Sequence, residues 1–310
     1  MVTRKARSVI VGTLTAALVI GGLVALRVTW NNPDRSSQGN RAHGRIVFAA
    51  NVADRWRLFT MNSDGTERRE PIGGAGGYSS DWSPDGSHIV YETVGGELWT
   101  MNADGSNKHQ IVRGNEPLWS PDGNRIVFER MCRPTRVVWF DKGVAGSASC
   151  VFIVNSDGKD SHELLLSKNL SDSPISWFPD GERILLSRAS RLGTSLWEVN
   201  ADGTQPRRLI PWKEPGEAGE FSLSPKGSLL AFSKGEDIWT MSLDGGNEVQ
   251  LTSGPGYSSN PAWSPDGARI VFSRGGDIWV MDASGANERA VTSSGYRPEE
   301  LAPVWGVAPT

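Results

Sequence analysis

Short hydrophobic runs alternate with tight polar turns along most of this chain, and two phrases recur in fixed order. The first is a strand closed by an Asn/Asp-Gly or Ser-Gly turn: LFTMNSDG (58–65), LWTMNADG (98–105), VFIVNSDG (151–158), LWEVNADG (196–203), IWTMSLDG (238–245) and IWVMDASG (278–285). The second is WSPDG at 82–86, 119–123 and 263–267, with the variants WFPDG at 177–181 and LSPKG at 223–227. Steps of 40, 53, 45, 42 and 40 residues separate Leu58, Leu98, Val151, Leu196, Ile238 and Ile278. That period suits a four-stranded antiparallel blade, and one blade alone leaves both faces bare. The pattern therefore predicts an all-β, six-bladed β-propeller.

The last full repeat reads as an inner strand A (261–263), a Ser-Pro-Asp-Gly turn, strand B (269–273), strand C (277–281) and an outer strand D (289–292). Pro presets φ in that turn and Gly accepts positive φ. In the first repeat, strands B (45–48), C (58–61) and D (about 68–72) have no WSPDG phrase before them. The missing strand is predicted at the other end, where Ala302-Pro303-Val304-Trp305 repeats Asn260-Pro261-Ala262-Trp263. Pairing it into the first blade closes the ring and removes an exposed sheet edge.

Composition sharpens this picture in two places. Thirteen Trp are explained largely by the repeat, since Trp82, Trp119, Trp177, Trp263 and Trp305 open one phrase and Trp99, Trp197, Trp239 and Trp279 sit in the other. The formal charge of −3 includes the cations Arg4, Lys5, Arg7 and Arg27, so the rest of the chain is more acidic still. No nucleic-acid partner is expected of such a surface, because phosphate binding needs a basic face.

The basic tail 1–7 precedes an uncharged run, 8–26, which as a helix would reach ~28 Å, close to a bilayer's apolar thickness. It is read as a single transmembrane anchor or uncleaved signal, with the N terminus cytoplasmic and the propeller extracytoplasmic. Cleavage would instead give a secreted protein. Residues 27–44 read as a polar tether and 45–306 as the propeller. Cys132 and Cys150 are the only cysteines and flank the longest insertion, 133–149, at the base of one hairpin. In an oxidising compartment they are expected to form a disulfide; in a reducing one, two buried thiols.

The WSPDG…IVF…DIWVMD pattern resembles the WD40-like (PD40) repeats of TolB-like six-bladed propellers, over about 45–306. The resemblance implies the propeller fold. Members of that family resemble periplasmic proteins in which an α/β domain precedes the propeller, whereas here an apolar run and a tether precede it. Some TolB-like propellers resemble metal-dependent lyases with a histidine cluster on the central face. In this chain His43, His88, His109 and His162 fall in the tether, an A–B turn and two D-strand regions. None is on an inner strand.

Asn-x-Asp-Gly resembles the opening of a calcium loop, but no copy continues to a closing Glu, and these residues also suit a tight C–D turn. There is no G-x-S-x-G elbow. No catalytic residue, metal or cofactor is therefore expected. What remains is the ring mouth, where D–A loops converge on the inner strands. Three or four residues before each Trp or Leu stand Ser79, Glu116, Ser173, Glu220, Asn260 and Ala302, with Tyr78, Tyr257, Tyr296, Trp212 and Arg297 in the adjoining loops. Aromatic rings beside polar groups around a concavity suit a binding surface.

The leading expectation is a non-catalytic binding or scaffold protein of the cell envelope that recognises a protein or peptide at this mouth. One alternative is a carbohydrate- or peptide-processing enzyme using Glu116 and Glu220 as acid and base. The other is an extracytoplasmic sensor acting through a separate partner.

Overall fold

β-Branched and aromatic residues fill the strands, and Gly at positive φ closes the turns between them: φ is 70° at Gly86 in an A–B turn and 86° at Gly65 in a C–D turn. A computed structural model describes residues 44–52, 55–70, 79–132, 137–139, 145–164, 170–190, 193–210, 219–293 and 302–307. These residues form six antiparallel sheets in a ring and one small extra hairpin, with no α-helix among them.

Blade 2 runs A to D through Ser80–Trp82, His88–Glu92, Glu97–Asn102 and His109–Arg113. Blade 3 uses Asn115–Trp119, Arg125–Met131, Ser149–Asn155 and His162–Glu163. Blade 4 uses Ser171–Trp177, Arg183–Ser190, Gly193–Asn200 and Arg207–Ile210. Blade 5 uses Gly219–Leu223, Leu229–Lys234, Asp237–Ser242 and Val249–Gln250. Blade 6 uses Ser258–Trp263, Arg269–Arg274, Asp277–Asp282 and Arg289–Ala290.

Blade 1 closes the ring as the repeat predicts. Its inner strand Val304–Gly306 lies antiparallel to Arg45–Val52, with Ile46 opposite Trp305, and Arg45–Val52 pairs in turn with Arg55–Asn62. Among the described residues its outer strand is marked by a bridge between Thr60 and Arg69, and the rest of the expected strand lies outside them. The outer strand of blade 6 is shorter than expected, although the N–H groups of Val291 and Thr292 still donate to the Ile278 carbonyl at 2.8 and 3.4 Å.

The core lies between blades. On one strand, Ile46 and Phe48 pack toward Val271 and Ile278 of blade 6, while Val47 and Ala49 pack toward Ile89 and Tyr91 of blade 2. Alternate side chains of a strand point to opposite faces, so a sheet with neighbours on both sides needs apolar residues at every position. The fully buried run Ile46-Val47-Phe48 meets that need.

The insertion in blade 3 forms the hairpin Val137–Trp139 with Ala145–Ser147, and Cys132 is bonded to Cys150 beneath it, Cα to Cα 5.2 Å. The C–D turns use their acids internally: Asp104 Oδ1 accepts from Ser106 N at 2.9 Å and from Ser106 Oγ at 2.6 Å. The span expected over 8–26, the tail before it and nearly all of the tether lie outside the described residues. Among the described residues no helix is long and apolar enough to cross a membrane.

Candidate functional site

Strands alternate direction within each blade, so the D–A connections and B–C turns share one rim of the ring, the mouth. There the inner strands are irregular. Register breaks between Asn115 and Leu118, between Gly219 and Ser222, and between Ser259 and Ala262. Inside each break one non-glycine residue has left-handed backbone: Glu116 at φ 50°, Glu220 at 52° and Asn260 at 51°. Each stands three residues before Trp119, Leu223 or Trp263. Such a conformation is costly for a residue with a Cβ and persists where surrounding bonds hold it.

Those bonds cross from blade to blade. Glu220 Oε2 accepts from Ser233 Oγ of its own blade at 2.5 Å and from Asn260 N of the next at 2.8 Å. The Glu116 N–H reaches Glu92 Oε2 of the preceding blade at 3.4 Å. One level deeper, Asp81 Oδ2 accepts from Trp119 N at 2.8 Å, and Ser222 Oγ takes the same part toward Trp263 N at 3.3 Å. In each case a side chain of one blade holds the inner strand of the following one.

The mouth is acidic on one side. Burial pushes the Asp81 carboxyl up to about 7, against the opposing pull of the Trp119 and Trp82 N–H groups. Loss of solvation, then the charges of Glu129 and Glu92, push Glu116 up to about 7. Burial also raises Glu92, with Glu129 adding to the shift. On blades 4 and 6 the rim is braced by cations: Arg188 makes a buried pair with Asp172 at 2.6 Å, and Arg274 binds Ser258 Oγ at 2.9 Å and Glu288 at 2.6 Å.

The sequence-derived set is gathered only in part. Glu116, Glu220 and Asn260 occupy equivalent places. Ser79 lies at the same level, its carbonyl accepting from Glu92 N at 3.0 Å. Ser173 does not match them: it pairs regularly with Ser187, and the irregularity in its strand falls between Pro174 and Ser176. Pro174 holds the third place before Trp177, and proline cannot adopt positive φ. Tyr257 is 56% exposed beside the rim. Tyr78, Trp212, Tyr296 and Arg297 lie outside the described residues.

Asp81, Glu92 and Glu129 were missed by the sequence reading. A signal for Asp81 does exist, because the place before the inner-strand Trp or Leu is otherwise held by Leu118, Ser176, Ser222, Ala262 and Val304. Among the described residues no group of three or more His, Cys, Asp or Glu is arranged to hold a metal ion.

Comparison with known proteins bears on this architecture. A family model described as "PD40: TolB beta propeller domain" matches residues 135–306. The Tol-Pal system protein TolB of Anaeromyxobacter dehalogenans (strain 2CP-C) is 32% identical over 109 residues, 34% of this chain and 24% of that protein. This chain thus matches only a minor part of that relative's length. The crystal structure of TolB from Acinetobacter baumannii superposes with a TM-score of 0.67 at 16% identity, covering 85% of this chain and 66% of that one. An oligogalacturonate lyase in complex with manganese superposes with a TM-score of 0.56 at 16% identity, covering 82% and 77%. At such identities the two structures demonstrate a shared fold alone.

Proposed function

This chain belongs to the TolB β-propeller domain family, and on that premise we propose that it is a non-catalytic binding protein of the cell envelope. Its ligand is a protein or peptide segment seated at the mouth through Ser79, Glu116, Glu220, Tyr257 and Asn260, to which the sequence adds Tyr78, Trp212, Tyr296 and Arg297. The observation that carries this reading is the set of left-handed residues Glu116, Glu220 and Asn260 at the register breaks of three inner strands, with Glu116 N and Asn260 N bonded to side chains of the preceding blades. Backbone held in a sparsely populated region concentrates at ligand sites, where it prepositions groups before the ligand arrives. The carboxylates of Glu92, Glu116 and Glu129 favour a segment bearing Lys or Arg.

The envelope location is supported by the basic tail and apolar run of residues 1–26, which suit a single span with the propeller outside the cytoplasm. The Cys132–Cys150 bond suits the same compartment. Glu116 is the observation that favours the enzyme reading, since a carboxyl near 7 fits a general acid. The second carboxylate that reading needs, Glu220, is already engaged by Ser233 and Asn260.

A photocrosslinking residue placed at Tyr257 or at the exposed Ser284 on the opposite rim tests the proposal in envelope preparations. Capture of one defined partner from position 257, absent from position 284 and lost with Glu116→Ala, is the expected result. Capture from 284 alone would place recognition elsewhere. Turnover of an envelope carbohydrate or peptide that vanishes in Glu116→Gln would replace binding with catalysis.

A further inference from the structure

A cavity of about 360 Å³ opens between blades 2 and 3, on the rim opposite the mouth, where A–B and C–D turns meet. A recurring arginine is absent beside it. The first residue of strand B is Arg45 in blade 1, Arg125 in blade 3, Arg183 in blade 4 and Arg269 in blade 6, but His88 in blade 2.

Two of those arginines show what the position does. Arg45 donates to Thr60 Oγ1 at 3.0 Å and lies 5.9 Å from the ring centre of Trp82 on the next blade. Arg125 donates to the Gly181 carbonyl of the next blade at 2.8 Å, lies 4.9 Å from the ring centre of Trp177, and pairs with Asp122 at 3.6 Å. In both grooves a guanidinium lies over a tryptophan face of the next blade and donates to a neighbouring acceptor, and in the second it also pairs with a carboxylate.

Counterparts of those receptor groups line the blade 2–3 groove, where Thr100 Oγ1 also lies 2.9 Å from His109 Nε2 and keeps a second lone pair for a donor. Its walls include Trp119, Thr100, Gly123 and Asp85, the counterparts of Trp177, Thr60, Gly181 and Asp122, and Asp122 itself closes the far side. The shorter imidazole of His88 turns to its own blade, Nδ1 lying 2.6 Å from Ser87 Oγ. Trp119 is left partly exposed, whereas Trp82, Trp177, Trp263 and Trp305 are buried. Three hydrogen bonds, two from Ser87 and one from Ser83, hold Asp85 at about 2, and Asp122 is likewise lowered. Both carboxylates are therefore charged.

Blade 5 also lacks the arginine, with Leu229 in its place, but its turn carries Lys226 where the others carry Asp. There the cation and its counter-ion are lost together. In blade 2 the counter-ion stays.

We propose that the groove between blades 2 and 3 is a binding site for a guanidinium group supplied from outside, stacked on Trp119 and paired with Asp85 and Asp122. Its source is either a free guanidinium compound or an arginine side chain of a second polypeptide. The site is separate from the mouth and does not depend on the function proposed for it.

The test uses the full chain labelled with 5-fluorotryptophan, the Trp119 resonance being identified by its loss in Trp119→Phe. Titration with agmatine should move that resonance, and butylamine at the same concentrations should not. A blocked Gly-Arg-Gly peptide that binds more tightly than agmatine identifies the source as a polypeptide; exclusion of the peptide identifies it as a small molecule. His88→Arg should fill the groove from within, abolish the response and raise the melting temperature. Thr100→Val, which leaves the turns intact, should weaken agmatine binding by about tenfold. An unmoved resonance, an equal response to butylamine, or an undiminished response in a folded His88→Arg protein would overturn the proposal.

Discussion

The backbone N–H of Trp119 donates to Asp81 Oδ2, so a channel carboxylate of blade 2 fixes the inner strand of blade 3. The same carboxyl accepts from its neighbour Trp82 N at 2.9 Å. Inner strands of adjacent blades share no sheet, and bonds of this kind set their relative height.

Asp81 makes stability depend on pH. Its folded carboxyl holds a proton up to about 7, whereas an unfolded aspartate releases it near ~4. Between those values the folded state binds more protons, so stability falls as pH rises, and the loss is complete above the folded value. The melting temperature should decline from about pH 5 to about pH 8, and Asp81→Asn, which keeps an acceptor for one of the two N–H groups, should flatten that decline. Equal slopes in the two proteins would assign the dependence to other groups.

Glu220 is both a mouth residue and a tie between blades. Glu220→Ala removes the acceptor of Asn260 N and should cost about 1 kcal/mol, while Glu220→Gln should recover most of it. Denaturant midpoints of the two variants decide the matter. An alanine variant as stable as the parent would show that the bond adds nothing.

The Cys132–Cys150 bond closes the insertion of blade 3. A double Cys→Ser variant should lose about 3 kcal/mol by the chain-entropy argument. The parent protein should fall to the same level under reductant. Peptide mapping without reduction should recover the linked pair.

Gly306 lies against the Trp82 ring so closely that an added Cβ would come within 2.2 Å of Trp82 Cγ. Gly306→Ala should therefore cost about 1–3 kcal/mol as strand and ring shift apart. Gly235, whose Cβ would meet nothing within 4 Å, has open space but φ 63°, so Gly235→Ala should lose only the backbone component. Thermal melts of the two variants separate crowding from backbone strain.

The ring was legible because turn chemistry cannot vary much: Gly86, Gly123, Gly181, Gly227 and Gly267 all take positive φ in the same turn. The closing strand was legible because Trp305 repeats the inner-strand motif. The bulges were not, because Glu116 and Asn260 adopt glycine-like φ without glycine and are held by Glu92 and Glu220 of the preceding blades. Ser173 was misplaced by one residue, since its strand carries Pro174 at the expected break. His88 and His109 look unrelated in sequence, yet cross-strand register sets Asn102 opposite His88 and Thr100 opposite His109. Their shared groove reflects which side chain is short, a property that becomes visible only when blades are compared.

Ring closure pairs Ile46 with Trp305, two residues separated by almost the whole described chain. Until the strand 304–306 docks, the strand that begins at Arg45 has an unpaired inner edge, and that edge can bind another copy. Completion of the ring, the contact of longest sequence separation, is then the step expected to limit folding. A circular permutant joined across blade 1 and opened in a D–A connection would relieve this, placing both strands of the latch in one continuous hairpin and transferring the long-range step to another blade.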